Sequence, residues 1–166
     1  MPDTTVLDIL KSAILLEIRG KDFYEKASGS AQDQVVKDFF QKMAEDEAGH
    51  IQLLSDQFNS VQSEGKFGDW REKAGAHQVA DTVINDAVKQ RIRTSGFESA
   101  AISAAMGMEE RAIQLYSKRA EAASDPKEKE LYQWLAEWET HHLEALAKID
   151  REVTEAIWND NSFWPF

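Results

Sequence analysis

Two short signatures in the chain could bind a metal: Glu47-Ala-Gly-His50 and Glu139-Thr-His-His142, each a Glu followed three residues later by a His. Residues three apart on an α-helix lie about 60° apart around its axis, so both side chains can grip one ion from the same face. Another Glu stands 30 residues before each pair, Glu17 in the first case and Glu109 in the second. Carboxylate oxygens and imidazole nitrogens suit iron, manganese or zinc. The sequence contains no Cys, so these residues build no disulfide, thiolate zinc site, iron–sulfur cluster or rubredoxin-type iron site. Any metal must sit on Glu, Asp and His.

The signatures belong to an internal repeat. Residues 10–55 align with residues 102–147 without a gap at a constant offset of 92. Glu17 falls on Glu109, Glu47 on Glu139 and His50 on His142; Arg19, Tyr24, Ala44, Glu45 and Leu54 meet Arg111, Tyr116, Ala136, Glu137 and Leu146. Two helical hairpins packed with pseudo-twofold symmetry would gather four carboxylates and two imidazoles at a bundle centre, the ligand set of dimetal carboxylate proteins. Four carboxylates are neutralised by two divalent cations. The same cluster repels itself when it is empty and deprotonated.

The elements that must position these groups are amphipathic helices. Apolar residues recur at three- and four-residue spacing and no strand-like alternation is evident, which predicts an all-α fold. The spacing predicts helices over about 5–28, 34–61, 98–123 and 126–158. The second carries the stripe Val36, Phe40, Met43, Glu47, His50, Leu54, Phe58, and the fourth Tyr132, Leu135, Glu139, His142, Leu146, Ile149, Val153. Polar residues on a core-facing stripe need a reason to be there. The breaker Ser28-Gly29-Ser30 is read as the end of the first helix. Asp125-Pro126-Lys127-Glu128 opens the fourth with an acidic N-cap, Pro at the first position and Glu at the third. Residues 62–97 read as a crossover containing a short helix near 83–92, and 159–166 as an aromatic tail that docks on the bundle or on a second subunit. Two hairpins joined by one long crossover is the connectivity of ferritin-like four-helix bundles. At 166 residues a single domain over 1–166 is expected.

Composition narrows the partners. Asp plus Glu is 30 against 19 Lys plus Arg, a net charge of −11, which disfavours nucleic acid and anionic membrane surfaces. The N-terminal stretch Met1–Leu16 has no basic region and carries Asp3, Asp8 and Lys11, and no apolar run approaches the roughly 20 residues a bilayer span needs. A mature cytoplasmic protein is expected.

At the repeated segments the chain resembles the rubrerythrin-like branch of the ferritin-like superfamily. Glu17-Ile-Arg-Gly-Lys-Asp-Phe-Tyr24 and Glu109-Glu-Arg-Ala-Ile-Gln-Leu-Tyr116 look like its paired Glu and Tyr, and Ala44-Glu-Asp-Glu47-Ala-Gly-His50 and Ala136-Glu-Trp-Glu139-Thr-His-His142 like its Glu-x-x-His helices. The resemblance implies a non-haem diiron centre of two iron ions, manganese or zinc being the alternatives. Glu47 and Glu139 would bridge, Glu17 and Glu109 would be terminal ligands, and His50 and His142 would serve one iron each. Tyr24 and Tyr116 would hydrogen-bond to the carboxylates. The implied activity is that of an oxidoreductase reducing peroxide or dioxygen, with ferrous iron binding and oxidation, or hydroxylation of a small substrate, as alternatives. Rubrerythrins usually carry a rubredoxin domain; without Cys, an external donor such as a rubredoxin-like protein must supply electrons. They also tend to have a further Glu three residues past the terminal Glu of the third helix, where this chain has Ala112, with Gly20 in the matching place of the first half. A homodimer is expected.

Other residues receive plainer readings. Glu110 lacks a counterpart at the offset of 92, where Ile18 stands, so Glu109 is preferred as the ligand. His141 is assigned to solvent or a neighbouring helix rather than the metal, and His77 to the surface. Arg19, Arg111, Glu45 and Glu137 are expected to form ion pairs between helices, Glu128 to Glu130 a solvated face, Trp134 and Trp138 an edge or interface, and Met43, Met106 and Met108 core filler. Gly20, Ala105 and Ala112 could leave room beside the site for a substrate.

Overall fold

The computed structural model describes residues 4–74 and 96–159. Five helices account for most of them: α1 (Thr4–Ser30), α2 (Gln34–Glu64), the single turn α3 (Arg71–Ala74), α4 (Gly96–Ala122) and α5 (Pro126–Asn159). No strand occurs among the described residues. The four long helices form an all-α, ferritin-like four-helix bundle built of the hairpins α1–α2 and α4–α5, with α1 also packed on α4. The predicted helix at 83–92, His77 and the tail at 160–166 lie outside the described residues.

Local chemistry sets the helix ends. Asp33 caps α2, its Oδ1 accepting from the Val35 amide at 2.9 Å. Gly65 closes that helix in the left-handed region at φ 72°, with its N–H donating to the Val61 carbonyl at 3.0 Å. Asp125 caps α5 through the amides of Lys127 at 2.8 Å and Glu128 at 3.3 Å. The predicted stop at Ser28 is overridden. Helix α1 continues to Ser30, and the Ser28 hydroxyl donates to the Lys37 carbonyl at 3.0 Å, tying the hairpin together.

Two apolar clusters occupy the two ends of the bundle. One contains Tyr24, Phe39, Phe40, Met43, Ile102, Leu146 and Ile149; the other contains Leu10, Leu54, Tyr116, Leu131, Tyr132 and Leu135, with Phe67 and Trp70 from the start of the crossover. Every long helix contributes to both clusters, and its site residues fall between them. The order in which each helix meets the clusters makes α1 antiparallel to α2 and to α4, and parallel to α5. Helix α2 therefore finishes at the opposite end from where α4 begins, and the connection between them is long for that reason.

Candidate metal centre

Midway along the bundle all four long helices turn carboxylates and imidazoles inward. Glu17 comes from α1, Glu47 and His50 from α2, Glu109 from α4, and Glu139 and His142 from α5; each is at most 3% exposed. The apolar clusters close off these charges at both ends of the bundle. They form two overlapping groups, Glu17–Glu47–His50–Glu139 and Glu47–Glu109–Glu139–His142, in each of which the donor atoms lie within 4.8 Å of one another. Glu47 and Glu139 belong to both.

The shared carboxylates give one oxygen to each group. Glu139 places Oε1 2.9 Å from His50 Nδ1 and Oε2 3.1 Å from His142 Nδ1. Glu47 places Oε2 3.6 Å from His50 Nδ1 and Oε1 3.7 Å from His142 Nδ1. Glu17 Oε2 completes the first group at 3.2 Å from His50 Nδ1, and Glu109 Oε1 the second at 3.8 Å from His142 Nδ1. The tyrosines cross between hairpins: Tyr24 donates its hydroxyl to Glu109 and Tyr116 donates to Glu17. Burial, then the carboxylate charges, raise both phenols well above their ordinary range, so both remain donors.

The electrostatics favour a cation. Burial first, then the neighbouring Glu139 charge, push the carboxyls of Glu47 and Glu109 well above the usual range. Burial works to lower the imidazoles, yet the Glu139 charge and bonds to Glu139, Glu17 and Glu47 raise His50, and bonds to Asp46 and Glu139 raise His142 to about 10. Protons therefore take the place of metal charge in the metal-free protein. Glu139 Oε1 is buried with His50 Nδ1 2.9 Å away, a charge contact without hydrogen-bond alignment, and no aligned donor meets it among the described residues. A buried set of converging oxygen and imidazole donors of this kind fits a bound metal cation.

Asp46 is a part of this centre that sequence reasoning missed. It is 2% exposed, with Oδ2 3.4 Å from His142 Nε2 and Oδ1 2.5 Å from Lys42 Nζ. Burial works to raise this carboxyl, but the bonds from His142 and Lys42 hold it below the usual range. The Trp138 indole N–H lies 3.2 Å from the same His142 Nε2, a contact that becomes a hydrogen bond only when that nitrogen is unprotonated and then replaces the one to Asp46. The available signal was the repeat itself, since Asp46 falls on Trp138 at the offset of 92.

Several expectations are corrected. Trp138 is buried and Trp134 half-buried, both packed on His50 rather than forming an outer edge. Glu128 is 3% exposed and accepts from Arg119 Nη2 at 2.5 Å, so it is no part of a solvated face. Glu45 accepts from Gln41 on its own helix, and no ion pair between helices involves Arg19, Arg111, Glu45 or Glu137 among the described residues. The arginines instead border a cavity of about 230 Å³ between α1 and α4 that opens onto Glu17, Glu47, Glu109 and Glu139. Leu16, Gly20, Met108 and Ala112 form its apolar lining. Met108 is thus cavity wall as well as filler, while Ala105 packs in an end cluster away from the cavity. Glu110 and His141 are exposed.

The sequence model of one family, Rubrerythrin, matches residues 8–150. No curated protein and no solved structure gives a significant match.

Proposed function

The chain belongs to the rubrerythrin family, and on that premise we propose that it is a non-haem diiron oxidoreductase reducing peroxide or dioxygen with electrons from an external donor. The observation that supports this is the pair of buried groups sharing Glu47 and Glu139, each completed by its own Glu and its own His. In this reading Glu47 and Glu139 would be shared by two irons, Glu17 and His50 would hold one, and Glu109 and His142 would hold the other. When bound, the irons supply two electrons to the oxidant, each passing between the ferrous and ferric states.

The chain's own residues bind, orient and exclude. Tyr24 and Tyr116 hold the terminal carboxylates Glu109 and Glu17 in place across the hairpin interface, which limits their rotation as charge at the centre changes. The end clusters keep bulk water away from the carboxylates. The cavity gives the oxidant its route, and Arg19 and Arg111 at its border offset the negative potential of the four carboxylates behind it. The proposed electron donor is external to these 166 residues, which contain no Cys from which a thiolate centre could be built. A homodimer in the cytoplasm, with a rubredoxin-like donor, completes the proposal.

A second reading, hydroxylation of a small organic substrate, is favoured by the cavity. Its volume of about 230 Å³ is several times the roughly 30 Å³ share of one water, and its side walls are apolar.

The test is iron content after anaerobic loading with ferrous iron and desalting, followed by rapid mixing with peroxide or dioxygen. About two irons per chain are expected, absent from Glu47→Ala and Glu139→Ala, with faster oxidation by one oxidant identifying the physiological partner. Iron unaffected by both substitutions would defeat the proposal. Uptake of many irons per chain would turn it towards iron handling.

A further inference from the structure

At the offset of 92 the two halves carry the same residue at every position proposed as a metal ligand, and they differ in what stands behind the imidazoles. Behind His142 is a polar pair: Asp46 Oδ2 lies 3.4 Å from Nε2, and Lys42 Nζ holds the other carboxylate oxygen at 2.5 Å. The offset carries Lys42 onto Trp134 and Asp46 onto Trp138. Those two indoles stand edge-on to the His50 ring, each with its centroid 5.7 Å away, at 81° and 89°, and pack on each other at 5.3 Å. His50 Nε2 is buried with no hydrogen-bond partner among the described residues. One imidazole is backed by a carboxylate and the other by an aromatic wall.

We infer that the two metal positions are unequal, the one built on His142, Glu109 and the shared carboxylates binding a divalent ion more tightly and filling first. The inference rests on the dimetal reading above. With Nδ1 turned to the metal, the proton of a neutral imidazole sits on Nε2. At His142 that N–H donates to Asp46 in place of the contact that the unprotonated nitrogen makes with the Trp138 indole N–H, and the bond fixes the ring plane and makes Nδ1 a better donor. At His50 the N–H faces indole rings and no oxygen among the described residues accepts it, so the ring is held by packing and its basicity is not enhanced. Asp46 also brings one more negative charge close to the His142 position, offset in part by the half-exposed Lys42, whereas the indoles bring none. Loss of such a carboxylate from behind a ligating histidine typically weakens metal binding about 10–100-fold, which sets the expected separation between the two positions.

The experiment is a titration of metal-free protein with cobalt(II) under anaerobic conditions, read by calorimetry and by the visible absorption of the bound ion. Two equivalents are expected in two steps separated by about 10–100-fold in affinity. In Asp46→Asn the tighter step should weaken until the two merge. In Trp138→Asp, which restores a carboxylate behind His50, the weaker step should tighten towards the first. Trp138→Phe removes the indole N–H, which also approaches His142 Nε2 at 3.2 Å, without adding a carboxylate; it should leave the weaker step untightened, and whatever change it makes is the baseline against which Trp138→Asp is read. His142→Ala should abolish the tight step, and His50→Ala should spare it. Two equivalents of equal affinity in the unmodified protein would overturn the inference while leaving the dimetal reading intact, as would a separation unchanged in both Asp46→Asn and Trp138→Asp. Fewer than two equivalents would defeat the dimetal reading itself, and the inference with it.

Discussion

Tyr116 and Gly20 show how single residues tune the centre from outside the set of proposed ligands. The Tyr116 hydroxyl donates to Glu17 in a fully buried setting. Tyr116→Phe leaves that carboxylate short of a donor, and should destabilise the metal-free protein by about 1–3 kcal/mol in urea unfolding. An unchanged midpoint would mean that Glu17 has another donor. Gly20 works through space: a Cβ built there would meet Glu47 Cδ at 3.3 Å and Oε1 at 3.5 Å. Gly20→Ala should gain up to about 1 kcal/mol of helix propensity while pushing the Glu47 carboxylate from its place. The expected result is a thermal midpoint at or above the original together with weaker cobalt binding; equal or tighter binding would show that Glu47 yields without cost. Most of these residues were legible in the sequence because a Glu-x-x-His pair on an otherwise apolar stripe puts charge on a core face, where burial is unfavourable unless an ion or a partner compensates it. Asp46 was not, because in the run Glu45-Asp46-Glu47 nothing local distinguishes a buried carboxylate from a solvated neighbour.

At the scale of the elements, helix type and order follow from apolar periodicity, but the ends follow from individual caps. Gly65 at φ 72° is the only positive-φ residue among those described. Gly65→Ala should lower stability by about 1 kcal/mol, because a Cβ is disfavoured in that region; a thermal midpoint unchanged to within error would show that α2 can end elsewhere without loss. The Ser28-Gly29-Ser30 run shows the limit of breaker residues as signals. Tertiary contact with Lys37 holds α1 helical through a stretch whose propensities favour stopping. Glu128 teaches the same lesson for charge. A Glu in the first turn of α5 reads as solvated or as half of a capping box, yet the α4–α5 junction turns Arg119 back onto it, with Nε at 2.6 Å, and buries it.

Across the whole molecule the buried centre couples metal, protons and stability. Glu47 and Glu109, raised above the ordinary carboxyl range, and His50 and His142, raised above the ordinary imidazole range, all bind protons in the folded metal-free protein that the unfolded chain has already released. Their contribution is complete below the unfolded carboxyl value of about 4.3 and is lost as pH rises towards the His142 value of about 10. Glu139 and Asp46 are lowered and act in the opposite sense, losing their contribution only as pH falls into the acid range. The thermal midpoint of metal-free protein should therefore fall steadily from about pH 5 to pH 9. Metal requires deprotonated ligands, so loaded protein should lose less, and the gap between the two forms should widen with pH. Glu109→Gln should flatten the metal-free slope; a slope unchanged by that substitution would assign the trend to the overall charge of −11 instead.

The repeat at 92 and the helical spacing were sufficient, from the sequence alone, for an all-α bundle of two hairpins and for the six residues that converge at its centre, because periodicity specifies which face of a helix is buried and a repeated pattern specifies how the halves correspond. What stands behind each ligand was decided only by tertiary packing. Asp46 reaches His142 across 96 positions of chain, Tyr24 reaches Glu109 across 85, and the cavity exists only where α1 meets α4. These are contacts between helices. Their partners depend on the rotation and separation of packed elements, which no local pattern encodes.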